Sequence, residues 1–144
     1  MMNAVLMFYQ LYLEDQTEGL VQTIQALVAS IRGAEHISII RNHISAISIV
    51  VGNVVASTDH AMDKAEISPA VRERLGPVVQ SLADCSDRLS HTAAQGEEIE
   101  SPEQLRDLTS KLPPIAFEIA RDTKELVQRI DQLEVDEDNG DDFR

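Results

Sequence analysis

The chain has 144 residues, 43% of them hydrophobic, with no Trp and one Cys, which suits a single helical domain rather than a disordered chain. Its net charge of −13, with Lys and Arg scattered, argues against a nucleic-acid or anionic-membrane surface. The lone Cys85 excludes an intramolecular disulfide, and the expected setting is cytoplasmic.

Residues 1–11 form an apolar N-terminal extension. Phe8, Tyr9 and Tyr12 crowd the first dozen residues together with Met1, Met2 and Met7. The segment can extend the first helix and overhang the bundle; the plain reading is that it folds back over an apolar end, and the sharper one is self-association. The first periodic segment runs from about Leu11 to Arg32, with Leu13, Leu20, Ile24, Leu27, Val28 and Ile31 on one face. Gly33 is the predicted C′ residue.

The second segment, about Ile37 to Thr58, carries Ile37, Ile40, Ile44, Ile47, Val51 and Val54 at 3-4-3-4-3 spacing. Its β-branched residues invite a strand, but they do not alternate, and the length favours helix. A polar loop, residues 59–68, leads to the N-cap candidate Ser68 and to Pro69. The third segment runs from Pro69 to about Gln95, with Val71, Leu75, Val78, Leu82, Cys85 and Leu89 facing one side, Pro77 inside it, and Gly96 as its stop. Ser101 and Pro102 open the fourth as N-cap and N1.

Within that last segment, LPPIAFEIARDTKELVQRI places Pro113 and Pro114 amid continuous helical spacing. Each proline removes a donor and crowds the carbonyl four residues back, at about 3 kcal/mol in a helix interior. Leu105, Leu108, Leu112, Ile115, Ile119, Leu126, Ile130 and Leu133 nevertheless keep the stripe. The expected fold is an all-α antiparallel four-helix bundle over residues 12–133 with a proline-kinked last helix. Residues 134–144 hold six acids and one Arg and read as an acidic, flexible tail.

No catalytic constellation is legible. His36 and His43 share a helix face two turns apart with no Cys or carboxylate to complete a metal site, and Cys85 lies in an apolar stripe. There is no glycine-rich phosphate loop. The reading is of a protein that is not an enzyme, with no cofactor and no metal.

The informative feature is a polar face with one aromatic on it. At about 100° per residue, Phe117, Arg121, Lys124 and Gln128 fall opposite the apolar stripe of the last helix. An aromatic beside two cations is an anchor with an electropositive rim; alternatively Phe117 tucks under the first helix and the cations are ordinary surface.

LPPIAFEIARDTKELVQRID (112–131) and YLEDQTEGLVQTIQALVASIRG (12–33) resemble the C-terminal helical-bundle domain of GIT-type scaffolds, which is built like the focal-adhesion targeting domain, and more closely that of the fungal Spa-type polarisome scaffolds. The resemblance implies a non-catalytic cell-polarity scaffold or adaptor at hyphal tips, buds or septa. It further implies docking of short acidic amphipathic helices (LD-like motifs) from polarity and actin-regulating proteins in a groove beside helices 1 and 4. The family pattern A-K-x-x-K-x-L-V falls on ARDTKELV, which puts its two basic positions at Arg121 and Lys124. The alternative is a homo-oligomerisation module of a scaffold. Nucleic acid and membrane insertion are not expected.

Overall fold

The computed structural model describes residues 4–64, 69–95 and 99–142. All regular structure among them is helical: α1 (Ala4–Arg32), α2 (Ile37–Lys64), α3 (Pro69–Ala94), α4 (Pro102–Ser110) and α5 (Leu112–Asp142). Ser68 and Gly96, expected to cap and stop the third helix, lie outside the described residues.

Four long helices share one core. α1 packs on α2 and α5, and α3 packs on α2 and α5, so the contacts close into a ring. The predicted stripes supply its lining: Leu13, Leu20 and Leu27 of α1, Ile40 and Ile47 of α2, Leu75, Leu82 and Leu89 of α3, and Leu112, Ile119, Leu126 and Ile130 of α5 are almost completely buried. Burying such side chains contributes roughly 1.5–3 kcal/mol apiece. Cross-helix bonds show how neighbours run. Tyr9 at the start of α1 bonds Thr58 near the end of α2. Arg72 pairs with Asp63 at 3.3 Å, and Ser48 with Ser90 at 3.0 Å. Between α3 and α5, Arg129 bonds the Arg74 carbonyl, Ser81 donates to Asp122 at 2.5 Å, and Arg88 pairs with Glu118 at 3.1 Å. Residue numbers rise along α3 as they fall along α5.

α2 is long and apolar enough to cross a membrane by length and composition alone. Its apolar positions instead line the core, from Ile40 through Ile44, Ile47, Val51 and Val54. That is the pattern of a central packing helix.

The double proline differs from expectation. Rather than one kinked helix there are two, parted at Lys111, whose N–H turns back to the Leu108 carbonyl at 3.1 Å. Pro113 and Pro114 then fall in the first turn of α5, where N–H groups have no intrahelical partner to lose. The prolines start a helix. α4, opened by Ser101 accepting from the Gln104 N–H at 3.2 Å, is a nine-residue approach to it. At the other end, α5 carries on to Asp142, past the expected end near Leu133. α1 likewise starts at Ala4, so residues 4–11 of the apolar extension lengthen the first helix.

The end of α1 also departs from its predicted cap. Ala34, not Gly33, takes the left-handed conformation, at φ 52°. Ala34 N–H reaches the Ile31 carbonyl at 3.1 Å and Glu35 N–H the Ser30 carbonyl at 3.0 Å. This is the bond pair of a Schellman cap with an alanine where glycine is favoured. A side chain at left-handed φ costs about 1 kcal/mol or more. Ala34→Gly is therefore expected to raise the unfolding free energy by about 1 kcal/mol, read from urea melts; no gain would mean the cap closes differently.

Candidate functional site

The α5 residues singled out by the wheel come together on its outer side. Phe117, Arg121, Lys124 and Gln128 line one open groove of about 530 Å³ with Ala120 and Glu125. Phe117 is 55% exposed, which removes the reading in which it tucks under the first helix. On the opposite side of the same turns, Ile119, Thr123 and Leu126 are buried, so the face is held out by the packing beneath it.

Its charges are loosely held. Arg121 sits 3.6 Å from Glu118, a carboxylate already taken by Arg88 at 3.1 Å. Exposed pairs of this kind are worth about 0–1 kcal/mol, so Arg121 can be recruited by a stronger partner. Lys124 has no ion-pair partner among the described residues: the positions three and four away are Ala120, Arg121, Val127 and Gln128, none of them acidic, and the adjacent Glu125 pairs with Arg129 at 2.8 Å. A free lysine and a weakly held arginine around an exposed ring form an electropositive island on a chain of net charge −13.

The groove opens along two sides of α5. Towards α3 it shares Glu125 and Gln128 with a second groove of about 470 Å³ that also takes in Val71, Arg74 and Leu75. Towards α1, Ala120, Lys124, Val127 and Asp131 follow one another at helical spacing, and Asp131 accepts a bond from Gln10 of α1. Ala120 and Val127 pack there against the core margin. None of the groove's own lining comes from α1.

Sequence reasoning missed a further concavity. Between α2 and α3, Arg41, Ile44, Ser45, Ser48, Ile49 and Ala93 border about 460 Å³. One guanidinium nitrogen of Arg41, Nη2, is buried there without a hydrogen-bond partner among the described residues. The exposed Ile49 was the available signal, hidden because the whole helix is rich in β-branched residues.

The other polar candidates have structural work. His36 Nδ1 accepts from the Ser38 N–H at 3.1 Å and so caps α2, a role that keeps it from acting with His43. Cys85 is buried, and burial, reinforced by Glu118 and Asp122, pushes its thiol above the ordinary range, which makes it a poor nucleophile. Among the described residues no three His, Cys, Asp or Glu side chains are placed to hold a metal ion.

Protein SPA2 of Saccharomyces cerevisiae is 32% identical over 130 residues, covering 85% of this chain and 9% of that protein. The chain thus spans about a tenth of the curated relative's length. No solved structure matches it. Residues 10–131, the span between the two partners of the Gln10–Asp131 bond, match the family described as G protein-coupled receptor kinase-interacting protein 1 C term, and the chain belongs to that family.

Proposed function

We propose that the four long helices form an antiparallel bundle serving as a non-catalytic docking domain of a cell-polarity scaffold, positioned at sites of polarised growth such as a hyphal tip, bud or septum. Its ligand is a short acidic amphipathic helix of a polarity or actin-regulating protein, laid along α5 beside α1. The observation that carries this reading is the uncompensated Lys124 next to the exposed Phe117 on an otherwise acidic chain. A helix docking in a groove needs apolar anchors with charges at the edge. Phe117, Ala120 and Val127 supply the first, Arg121 and Lys124 the second, and Gln128 adds a polar contact one turn further on. Family membership and the similarity to Protein SPA2 support the scaffold role.

Calorimetric titration of the full chain with a synthetic acidic amphipathic helix tests it. Lys124→Glu should weaken binding at least tenfold, since like-charge juxtaposition costs several kcal/mol. Folding stability should move by less than about 0.5 kcal/mol, as for most surface substitutions. A second reading rests on the orphaned Arg41 nitrogen, which would also welcome a carboxylate in the α2–α3 groove. Binding lost in Arg41→Ala but intact in Lys124→Glu would move the docking site there. A stable dimer by light scattering, insensitive to both changes, would favour homo-oligomerisation.

A further inference from the structure

Four of the seven exposed large apolar side chains among the described residues lie close together on α1: Met7, Phe8, Leu11 and Tyr12. At 100° per residue they cover the side of the helix away from Tyr9 and Leu13, which are buried. The segment is not a loose end. Tyr9 bonds Thr58 of α2 and Gln10 bonds Asp131 of α5, so the stripe is presented on a fixed support.

Its electrostatic setting is the opposite of the α5 face. The first thirteen residues contain no charged side chain, and Glu14, Asp15 and Glu18 follow at once. These three acids form no ion pair with another described residue and are exposed. α3 and α5 run in opposite directions, and each helix contact around the ring reverses again, so α5 also runs against α1. From the Gln10–Asp131 bond, α5 therefore continues beside the first turns of α1. That continuation, Asp131 to Asp142, contains seven acids and no Lys or Arg. Most of both stretches, residues 4–9 and 132–142, lies outside the family match of 10–131.

We infer that this end of the molecule is a second docking surface, for a cationic amphipathic helix of another protein. Phe8 and Leu11 anchor its apolar side, with Met7 and Tyr12 at the margins. Glu14, Asp15 and Glu18, in the third and fourth turns of α1, attract its Lys and Arg, and the acid-rich sequence at the end of α5 adds long-range negative potential. Charge decides between occupants. A second copy would bring its own acids against these, and an anionic lipid surface would be repelled. A basic helix meets complementary potential and an apolar stripe together.

The experiment titrates the full chain with a synthetic helix bearing leucines on one face and lysines on the other, and with its glutamate counterpart. The expected result is saturable one-to-one binding of the lysine peptide, weakened by salt. Phe8→Ser with Leu11→Ser should reduce the affinity at least tenfold with the melting temperature unchanged. Glu134→Gln with Glu137→Gln and Asp138→Asn should weaken binding and flatten its salt dependence. Lys124→Glu should leave lysine-peptide binding intact, which separates this surface from the α5 face. Equal binding by the Phe8/Leu11 double variant would reduce the effect to diffuse attraction and overturn the proposal. So would a dimer that falls apart in that variant, because the stripe would then be covered by a second copy.

Discussion

Leu126→Ala is expected to cost 2–5 kcal/mol of folding free energy, while Phe117→Ala on the same helix costs less than about 1 kcal/mol. Leu126 is wholly inaccessible, and truncating it leaves a cavity where α5 meets the core. Large-to-small changes at such sites lose both the transfer free energy and the contacts across the void. Phe117 is nine residues earlier and about 180° away on the wheel, with 55% of its surface exposed. It has little burial to lose. Urea unfolding of the two variants measures the contrast directly. If Phe117→Ala proved as damaging as Leu126→Ala, the ring would be a packing element in solution, and its use as a ligand anchor would fall with that result.

That contrast was largely legible in the sequence, because both faces of α5 follow from 3.6-residue periodicity. Ile119, Leu126 and Ile130 had to be buried together if any one of them was, and the opposite positions had to be exposed. The same rule placed Leu13 through Leu27, Ile40 through Val54 and Leu75 through Leu89 in the core. Caps with a side-chain signature, such as Ser101 before Pro102, were equally readable.

What escaped depends on neighbours that a one-dimensional pattern does not contain. Pro113 and Pro114 fit a kink and a fresh start equally well. The outcome turned on Lys111, whose N–H satisfies the Leu108 carbonyl and ends α4 first. Ala34 as the left-handed residue ran against propensity, with the glycine one position too early to serve. Within the candidate site, Arg121 and Lys124 could be found by spacing. The lack of an acid three or four residues from Lys124 was readable too, but the weak hold on Arg121 was not, since it arises because Glu118 is shared with Arg88 of α3. The helical course of residues 4–11 is likewise absent from their composition; it is held by Tyr9, which reaches Thr58 across the helix pair.

Tyr9 also makes the fold sensitive to alkali in a way that one substitution can isolate. Its phenol is buried, and desolvation pushes its pKa from the ordinary 10 up to about 12, outweighing the bond with Thr58, which pulls the other way. A folded-state pKa above the unfolded one means the native state favours the neutral phenol. The associated stability is fully present below pH 10 and is lost as pH rises from 10 through 12. Two units at about 1.36 kcal/mol each set the loss at about 2–3 kcal/mol. Tyr9→Phe removes the titration but also a buried hydroxyl bond, and Thr58 keeps its own 2.7 Å bond to the Val54 carbonyl. At neutral pH the variant is therefore expected to be about 1 kcal/mol less stable than the parent. Above about pH 11 the order should reverse, because only the parent releases a Tyr9 proton on unfolding, which favours its unfolded state. Denaturation midpoints of both proteins across pH 7 to 12 supply the test, with general alkaline effects on the remaining residues common to the two. Curves that stay parallel throughout would show that the phenol meets water in the native state and that the first turns of α1 do not hold it under α2.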